Sequence, residues 1–215
     1  MTDSHLPLQS KLEEIFNAVS HGVTAVAALV GLGALVAYGA VSEASWSLLS
    51  AIVYGVSLVF LFSVSSLYHA ETRTQIKKRL RILDHASIFI LIAGSYTPFL
   101  LMTIGGTFAW VLFAVQWSMA LIGVLLKLFY TGRYEVLSVA MYFIMGWMIV
   151  VKIDHLYEVL PVIGFWLLLA GGLCYTGGIV FYLLDQKYRF AHFLWHLFVI
   201  AGSLCHFLTV LLYVI

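Results

Sequence analysis

Charged residues are scarce in this chain of 215 residues. Asp, Glu, Lys and Arg together make up 10% of it, against about a quarter in an average soluble domain. Hydrophobic residues make up 63%, and the mean hydropathy is +1.03. This composition excludes a soluble globular domain and indicates an integral membrane protein. The net charge of +1 gives no sign of a nucleic-acid partner, and none is expected.

Cysteine is rarer still, with two residues in the whole chain, and long polar stretches are missing. Cys174 and Cys205 both fall in apolar runs, so no disulfide framework is predicted. The N-terminus lacks a basic segment followed by a short apolar core and a small-residue cleavage site, and we expect no cleavable signal peptide. No stretch between the apolar segments exceeds about 15 residues, too short for a separate fold. We predict one membrane domain over residues 1–215, beginning with a short cytoplasmic segment over residues 1–19.

Seven apolar segments are long enough to cross a bilayer, which takes about 20 residues of helix. They run over residues 20–40, 46–68, 84–103, 108–129, 136–151, 160–184 and 191–215. The fifth is the shortest. Because the connections are brief, successive helices should be antiparallel neighbours. The predicted fold class is therefore all-α, a bundle of seven transmembrane helices.

The basic residues predict the orientation of this bundle. With seven spans, every Lys and Arg except Lys152 falls on the side that holds the N-terminus. The positive side of a membrane protein faces the cytoplasm, so we expect a cytoplasmic N-terminus and an external C-terminus. Residues 11–20 have helical hydrophobic spacing and are interpreted as an amphipathic helix on the inner surface. The basic stretch 72–81 is interpreted as a plain orientation signal, with contact to anionic headgroups as the alternative.

Titratable side chains inside apolar segments are costly and usually functional, and here they concentrate at one depth. The inner ends of the segments carry His21, His69, Asp84, His85, His192 and His196. His192 and His196 are spaced i and i+4, so both rings project from one face of a helix. Side chains from separate parts of the chain are thus predicted to lie in one layer of the bundle.

A metal site and a satisfied polar core pair are the two interpretations of His192 and His196. The presence of His69 at the same depth favours the metal, because three neutral imidazoles and a water match a catalytic zinc site. Asp84 would hydrogen-bond that water or complete the ligand shell. Ser65 shares a helical face with His69 and is interpreted either as a partner of the site or as a small packing residue. His206 lies about 15 Å further along its helix and is predicted to be hydrogen-bonded within the bundle.

Three further polar residues share one helical face in the first apolar segment and in the residues just before it. Glu14, Asn17 and His21 are spaced i, i+3 and i+7. They are predicted to support the metal ligands from the cytoplasmic side, and an interfacial polar cluster is the alternative. Pro98 lies within the third segment and should kink it.

These residues resemble the bacterial hemolysin III branch of the progestin and adipoQ receptor (PAQR) family, which includes the adiponectin receptors and shares a metal motif with the alkaline ceramidases. The resemblance rests on Glu14-x-x-Asn17-x-x-x-His21, Ser65-x-x-x-His69, the stretch LDHASIFILIAGSYTPFLL, His192-x-x-x-His196 and GSLCHF. It implies the seven-helix PAQR bundle, zinc held by His69, His192 and His196, and Asp84 contacting zinc through water beside Ser65. It also suggests a bacterial inner membrane. The short N-terminal segment argues against a protein-hormone partner.

Two functions follow as hypotheses. The first is an intramembrane zinc hydrolase that acts on a lipid amide or ester near the cytoplasmic face, with Asp84 and Ser65 as catalytic residues and a lipid substrate or free fatty acid in the bundle. The second is a non-catalytic, lipid-responsive sensor with a structural zinc site. A transporter or proton relay is disfavoured, because no inverted repeat is visible.

Overall fold

A computed structural model describes residues 9–215, and this part of the chain is helical without any strand. The helices are α1 (Lys11–Val41), α2 (Ser47–Ala70), α3 (Thr74–Pro98), α4 (Gly106–Tyr130), α5 (Glu135–Trp147), α6 (Ile153–Val159), α7 (Val162–Leu183) and α8 (Ala191–Tyr213). A π-helical turn, Phe99–Ile104, extends α3, and a 3-10 turn, Met148–Lys152, joins α5 to α6. When α3 is taken together with its π-helical turn, and α5 together with the 3-10 turn and α6, the described residues form seven helices that are long and apolar enough to cross a membrane. The predicted fold class is therefore confirmed.

Helix α1 runs unbroken from Lys11 to Val41, so residues 11–20 form the first turns of the first membrane-spanning helix. Its first turn is closed by a capping box in which the Ser10 hydroxyl accepts from the Glu13 N–H and the Glu13 carboxylate accepts from the Ser10 N–H. Glu13 and Asn17 face the bundle and are buried. The apolar residues of the same turns lie on the outer face: Leu12, Ile15, Phe16 and Val19.

The helices form a ring in which α3 packs on α2, α4 and α5. Helix α1 packs on α2 and α8, α2 packs on α3, α3 packs on α4, and α7 packs on α8. Helix α5 contacts α3, α4 and α7. The span formed by α3 and its π-helical turn is the most buried of the seven. Its Phe89 ring lies against Gly123 of α4, where a methyl group would overlap the ring.

The proline in α3 changes the helix type. Pro98 has no N–H to donate, and from Phe99 the chain continues with the wider hydrogen bonding of a π-helix. Gly105 ends this turn by donating its N–H to the Leu100 carbonyl at 3.0 Å. Gly105 and Gly106 both have positive φ, which lets the chain reverse directly into α4.

One end of the bundle brings together the candidate site residues. We call it the histidine end; α1, α3 and α8 begin there and α2 ends there. Every described Lys and Arg except Lys152 belongs to this end, so the helices keep the charge asymmetry read from the sequence.

A candidate metal centre at the histidine end

Three histidines from two helices meet inside the bundle at the histidine end. His69 lies in the last turn of α2, and His192 and His196 lie in the first turns of α8. One ring nitrogen from each lies within 4.8 Å of the others. All three residues are buried, with exposed fractions of 3%, 8% and 1%. The spacing i, i+4 on α8 supplies two rings, and the packing of the bundle brings the third.

Carboxylates orient two of these rings. His69 Nδ1 lies 2.8 Å from Glu14 Oε2, and His192 Nδ1 lies 3.0 Å from Asp185 Oδ2. A carboxylate only accepts, so in both pairs Nδ1 carries the proton and Nε2 keeps its lone pair. This pairing of a carboxylate with the far nitrogen of a ligating histidine is common in protein metal sites.

The ring nitrogens that make no such contact are the strongest indication that the site can hold an ion. His69 Nε2, His192 Nε2 and His196 Nδ1 are buried and have no hydrogen-bond partner among the described residues. Leaving buried polar atoms unpaired costs about 1–3 kcal/mol each. Three histidines that each carry such an atom, and that each bring one ring nitrogen within 4.8 Å of the others, fit a metal ion that prefers imidazole ligands. The residues present therefore can hold a metal ion.

Glu14 is itself held in place by Lys77 of α3. The Lys77 ammonium lies 3.0 Å from Glu14 Oε1 and donates to the Tyr68 carbonyl at 3.0 Å. Lys77 is almost fully buried, which is unusual for a lysine and is explained by these two partners. Helices α1, α2 and α3 are thus joined directly behind the His69 ring.

The other two residues of the predicted α1 face are both buried. The His21 ring stacks on the His196 ring with centroids 3.6 Å apart and planes 7° apart. Asn17 is completely buried and donates its amide to Gln9 Oε1 at 3.0 Å. Glu14 and His21 therefore contact the histidines directly, whereas the side chain of Asn17 is engaged with the chain just before α1.

Asp84 and Ser65 lie beside the three histidines rather than among the possible ligands. Both line a cavity of about 30 Å³ together with His21, His192 and His196. A space of this size holds a water molecule. The Asp84 carboxylate also lies 3.4 Å from His85 Nδ1, and that nitrogen is 2.9 Å from the Arg81 carbonyl. The arrangement places a carboxylate and a hydroxyl on the wall of a small polar chamber next to the candidate ligands.

Sequence reasoning missed three residues of this region: Glu13, Lys77 and Asp185. Besides capping α1, Glu13 accepts the backbone N–H of Phe190, the residue just before α8. The pattern Ser10-x-x-Glu13 signals the cap, but the contact to Phe190 joins the two ends of the chain and leaves no local signal. Asp185 lies in the α7–α8 connection, where a lone carboxylate is unremarkable.

A second, apolar cavity adjoins the candidate metal centre. It measures about 90 Å³, lies between α3, α5, α7 and α8, and shares Leu61, Ile88, Trp195 and Val199 with the polar chamber. A further cavity of about 50 Å³ continues it towards the π-helical turn. His206 lines both and lies 3.1 Å from the Leu168 carbonyl through Nε2, so it is hydrogen-bonded within the bundle as predicted. We refer to the two spaces together as the apolar cavity.

Fold and site together define a multi-pass membrane protein in which α2 and α8 bring together a buried group of three imidazoles that can hold a metal ion. The family model described as Haemolysin-III related matches residues 9–207. The chain is 42% identical to Hemolysin-3 of Bacillus cereus, covering 94% of this chain and 92% of that protein. It is 39% identical to the Hemolysin-3 homolog of Bacillus subtilis (strain 168), covering 94% of each.

A human protein shows the same relationship at greater distance. The monocyte to macrophage differentiation factor of Homo sapiens is 30% identical over 92% of this chain and 83% of its own length. The chain therefore belongs to the haemolysin-III related family, and the resemblance to the hemolysin III branch is confirmed.

Proposed function

We propose that this protein is an intramembrane zinc hydrolase that cleaves an amide or ester bond of a lipid, with the histidine end on the cytoplasmic side of a bacterial plasma (inner) membrane. One observation carries the proposal. Three buried imidazole nitrogens that have no hydrogen-bond partner within residues 9–215 lie beside a chamber that is also lined by a carboxylate, Asp84, and a hydroxyl, Ser65. A polar cluster with a purely structural role would not need a carboxylate and a hydroxyl that line a cavity.

The donor set supports zinc as the ion. His69, His192 and His196 offer three imidazole nitrogens and no thiolate, and three histidines leave a fourth tetrahedral position free. When bound, zinc supplies Lewis acidity, which polarises a carbonyl and acidifies water. Glu14 and Asp185 hold two of the rings in the tautomer that this requires.

Asp84 is proposed to move the proton of the reaction. As water adds to the carbonyl carbon, the Asp84 carboxylate accepts the proton of that water. When the C–N or C–O bond breaks, Asp84 returns the proton to the leaving amine or alkoxide. Ser65 is proposed to donate its hydroxyl hydrogen to the oxygen of the carbonyl as negative charge develops there. Both side chains line the same chamber, so one bound carbonyl can reach them together.

The apolar cavity supports a lipid as the substrate. It adjoins the polar chamber through shared lining residues and is formed by apolar and aromatic side chains such as Leu91, Ile92 and Phe143. An acyl chain in this space would place its carbonyl end towards Asp84. A fatty acid, which is the product of such a cleavage, has the same apolar chain and is proposed to bind in the same region.

The test is lipid turnover by purified, zinc-loaded protein in bilayer nanodiscs. Release of fatty acid from N-acyl and O-acyl lipids is measured for the parent, for Asp84→Asn, and for the control Glu71→Gln in the α2–α3 turn. We expect Asp84→Asn to keep its zinc and to lose at least ~100-fold in rate, which is the usual contribution of a general acid–base. The control should match the parent. Absence of turnover in the parent, or equal turnover in His196→Ala, would refute the proposal.

A sensor with a structural zinc ion is the second candidate, and one observation favours it. The candidate ligands join α2 to α8, and the carboxylates that orient them come from α1 and from the α7–α8 connection. An ion at this place would tie together the first and last parts of the bundle. In that case chelation should lower the melting temperature sharply, while Asp84→Asn and the parent show the same absence of turnover.

A further inference from the structure

A basic cleft opens at the histidine end, away from the metal centre. It lies between the beginning of α3 and the end of α4 and has a volume of about 210 Å³. One side is basic and the other apolar, and its principal residues are Lys78, Arg79, Arg81, Ile82, Leu128 and Phe129. None of the residues that line the described cleft carries a carboxylate. Neither the proposed catalysis nor the family membership assigns a role to it.

The basic side of the cleft favours a phosphate. Lys78, Arg79 and Arg81 lie within one turn of α3, so three positive charges border one small volume. Arginine recognises phosphate through paired N–H donors, and lysine adds a mobile point charge. A basic pocket between transmembrane helices is also the form that binding sites for acidic lipid headgroups take.

The apolar side of the cleft indicates that the phosphate belongs to a lipid. Phe129 is 74% exposed and Leu128 is 46% exposed, both near the end of a membrane-spanning helix. Such side chains at the histidine end border the acyl region of the bilayer. A free phosphate has no apolar part to contact them, whereas the acyl chains of a phospholipid would lie along this face of α4.

We propose that this cleft binds the phosphate headgroup of one anionic phospholipid, with its acyl chains against Leu128 and Phe129. The site is separate from the metal centre, but α3 joins them. The Arg81 carbonyl at the cleft is hydrogen-bonded by His85, whose ring also contacts Asp84. The proposal does not depend on catalysis, because it rests on the cleft alone.

The test measures lipid binding to the purified full chain by native mass spectrometry and by thermal unfolding in a neutral detergent. Phosphatidylglycerol, phosphatidylcholine and soluble glycerol phosphate are added in parallel titrations. We expect one phosphatidylglycerol to remain bound and to raise the melting temperature saturably. Phosphatidylcholine should bind at least tenfold more weakly because it has no net charge, and glycerol phosphate because it lacks acyl chains. Added salt should weaken the phosphatidylglycerol effect.

The variants separate this site from general attraction to a basic surface. Lys78→Gln/Arg79→Gln should weaken phosphatidylglycerol binding about tenfold or more, since each basic residue near a membrane surface contributes severalfold. Arg133→Gln/Lys187→Gln removes two charges at the same end outside the cleft and should bind like the parent. Arg79→Gln alone changes an exposed side chain and tests the cleft even if the double variant folds poorly.

Two outcomes would overturn the proposal. Equal loss of binding in the cleft variants and in the Arg133/Lys187 control would mean that the whole surface attracts the lipid. Glycerol phosphate binding as tightly as phosphatidylglycerol would mean an anion site without a lipid.

Discussion

The Nδ1 atoms of His69 and His192 each contact a carboxylate of their own. These two carboxylates come from distant parts of the chain. Glu14 lies in the first turn of α1, and Asp185 lies in the connection before α8. Each accepts the Nδ1 proton and so leaves Nε2 ready to bind an ion. The affinity of the site for metal should therefore depend on residues that never touch the ion.

Glu14→Gln tests this dependence. The amide no longer attracts the Nδ1 proton as a charged acceptor and no longer neutralises the buried Lys77, so zinc affinity should fall about 10- to 100-fold. Competition with a fluorescent chelator on purified protein measures the change. Glu71→Gln is the matched control, because Glu71 pairs with Arg73 at the surface of the same end. Unchanged affinity in Glu14→Gln would show that the carboxylate does not orient His69.

The sequence indicated the three histidines because apolar segments make a polar residue conspicuous. The depth of His69, together with the i, i+4 spacing of His192 and His196, was enough to group them. The helical spacing of Glu14 and His21 placed both on the face that now contacts the histidines. Asp185 and Lys77 could not be found in the same way, because they lie in polar sequence where charge is ordinary. Their roles follow only from the packing of distant segments.

At the scale of whole helices, hydropathy located the spans but not their ends. Helix α1 starts at Lys11 rather than residue 20, and α3 starts at Thr74 rather than residue 84. Hydropathy detects the part of a helix that lipid surrounds, whereas the backbone hydrogen bonds continue beyond it. The fifth span likewise reaches Val159 because a 3-10 turn carries the chain past Lys152 into α6.

The contact of α3 with α4 depends on the absence of a side chain at Gly123. Gly123→Ala would place a methyl group into the fully buried Phe89 ring and should destabilise the bundle by about 1–3 kcal/mol. Thermal unfolding in detergent measures this loss as a lower melting temperature. Gly33→Ala is the control: its methyl group would meet no atom within 4 Å, and alanine favours the helix. Equal melting temperatures for both variants would contradict the close packing of α3 and α4.

For the molecule as a whole, the charge asymmetry gives a testable orientation. Because every described Lys and Arg except Lys152 belongs to the histidine end, we expect that end to face the cytoplasm. Alkaline phosphatase, which is active only outside the cytoplasm, should be active when fused after Ile215. The same enzyme fused into the α2–α3 turn at Thr72 should be inactive. The reverse pattern would place the metal centre at the outer face.

The stacking of His21 on His196 and the hydrogen bond that the Phe190 N–H donates to Glu13 join the first helix to the last. During synthesis, the first helices enter the membrane long before α8 has been made. A nascent chain that ends before Ala191 has His69 and Glu14 but neither ring of α8. The candidate site is thus completed late in the biogenesis of this protein, and a chain stalled before its last helix lacks two of the three histidines.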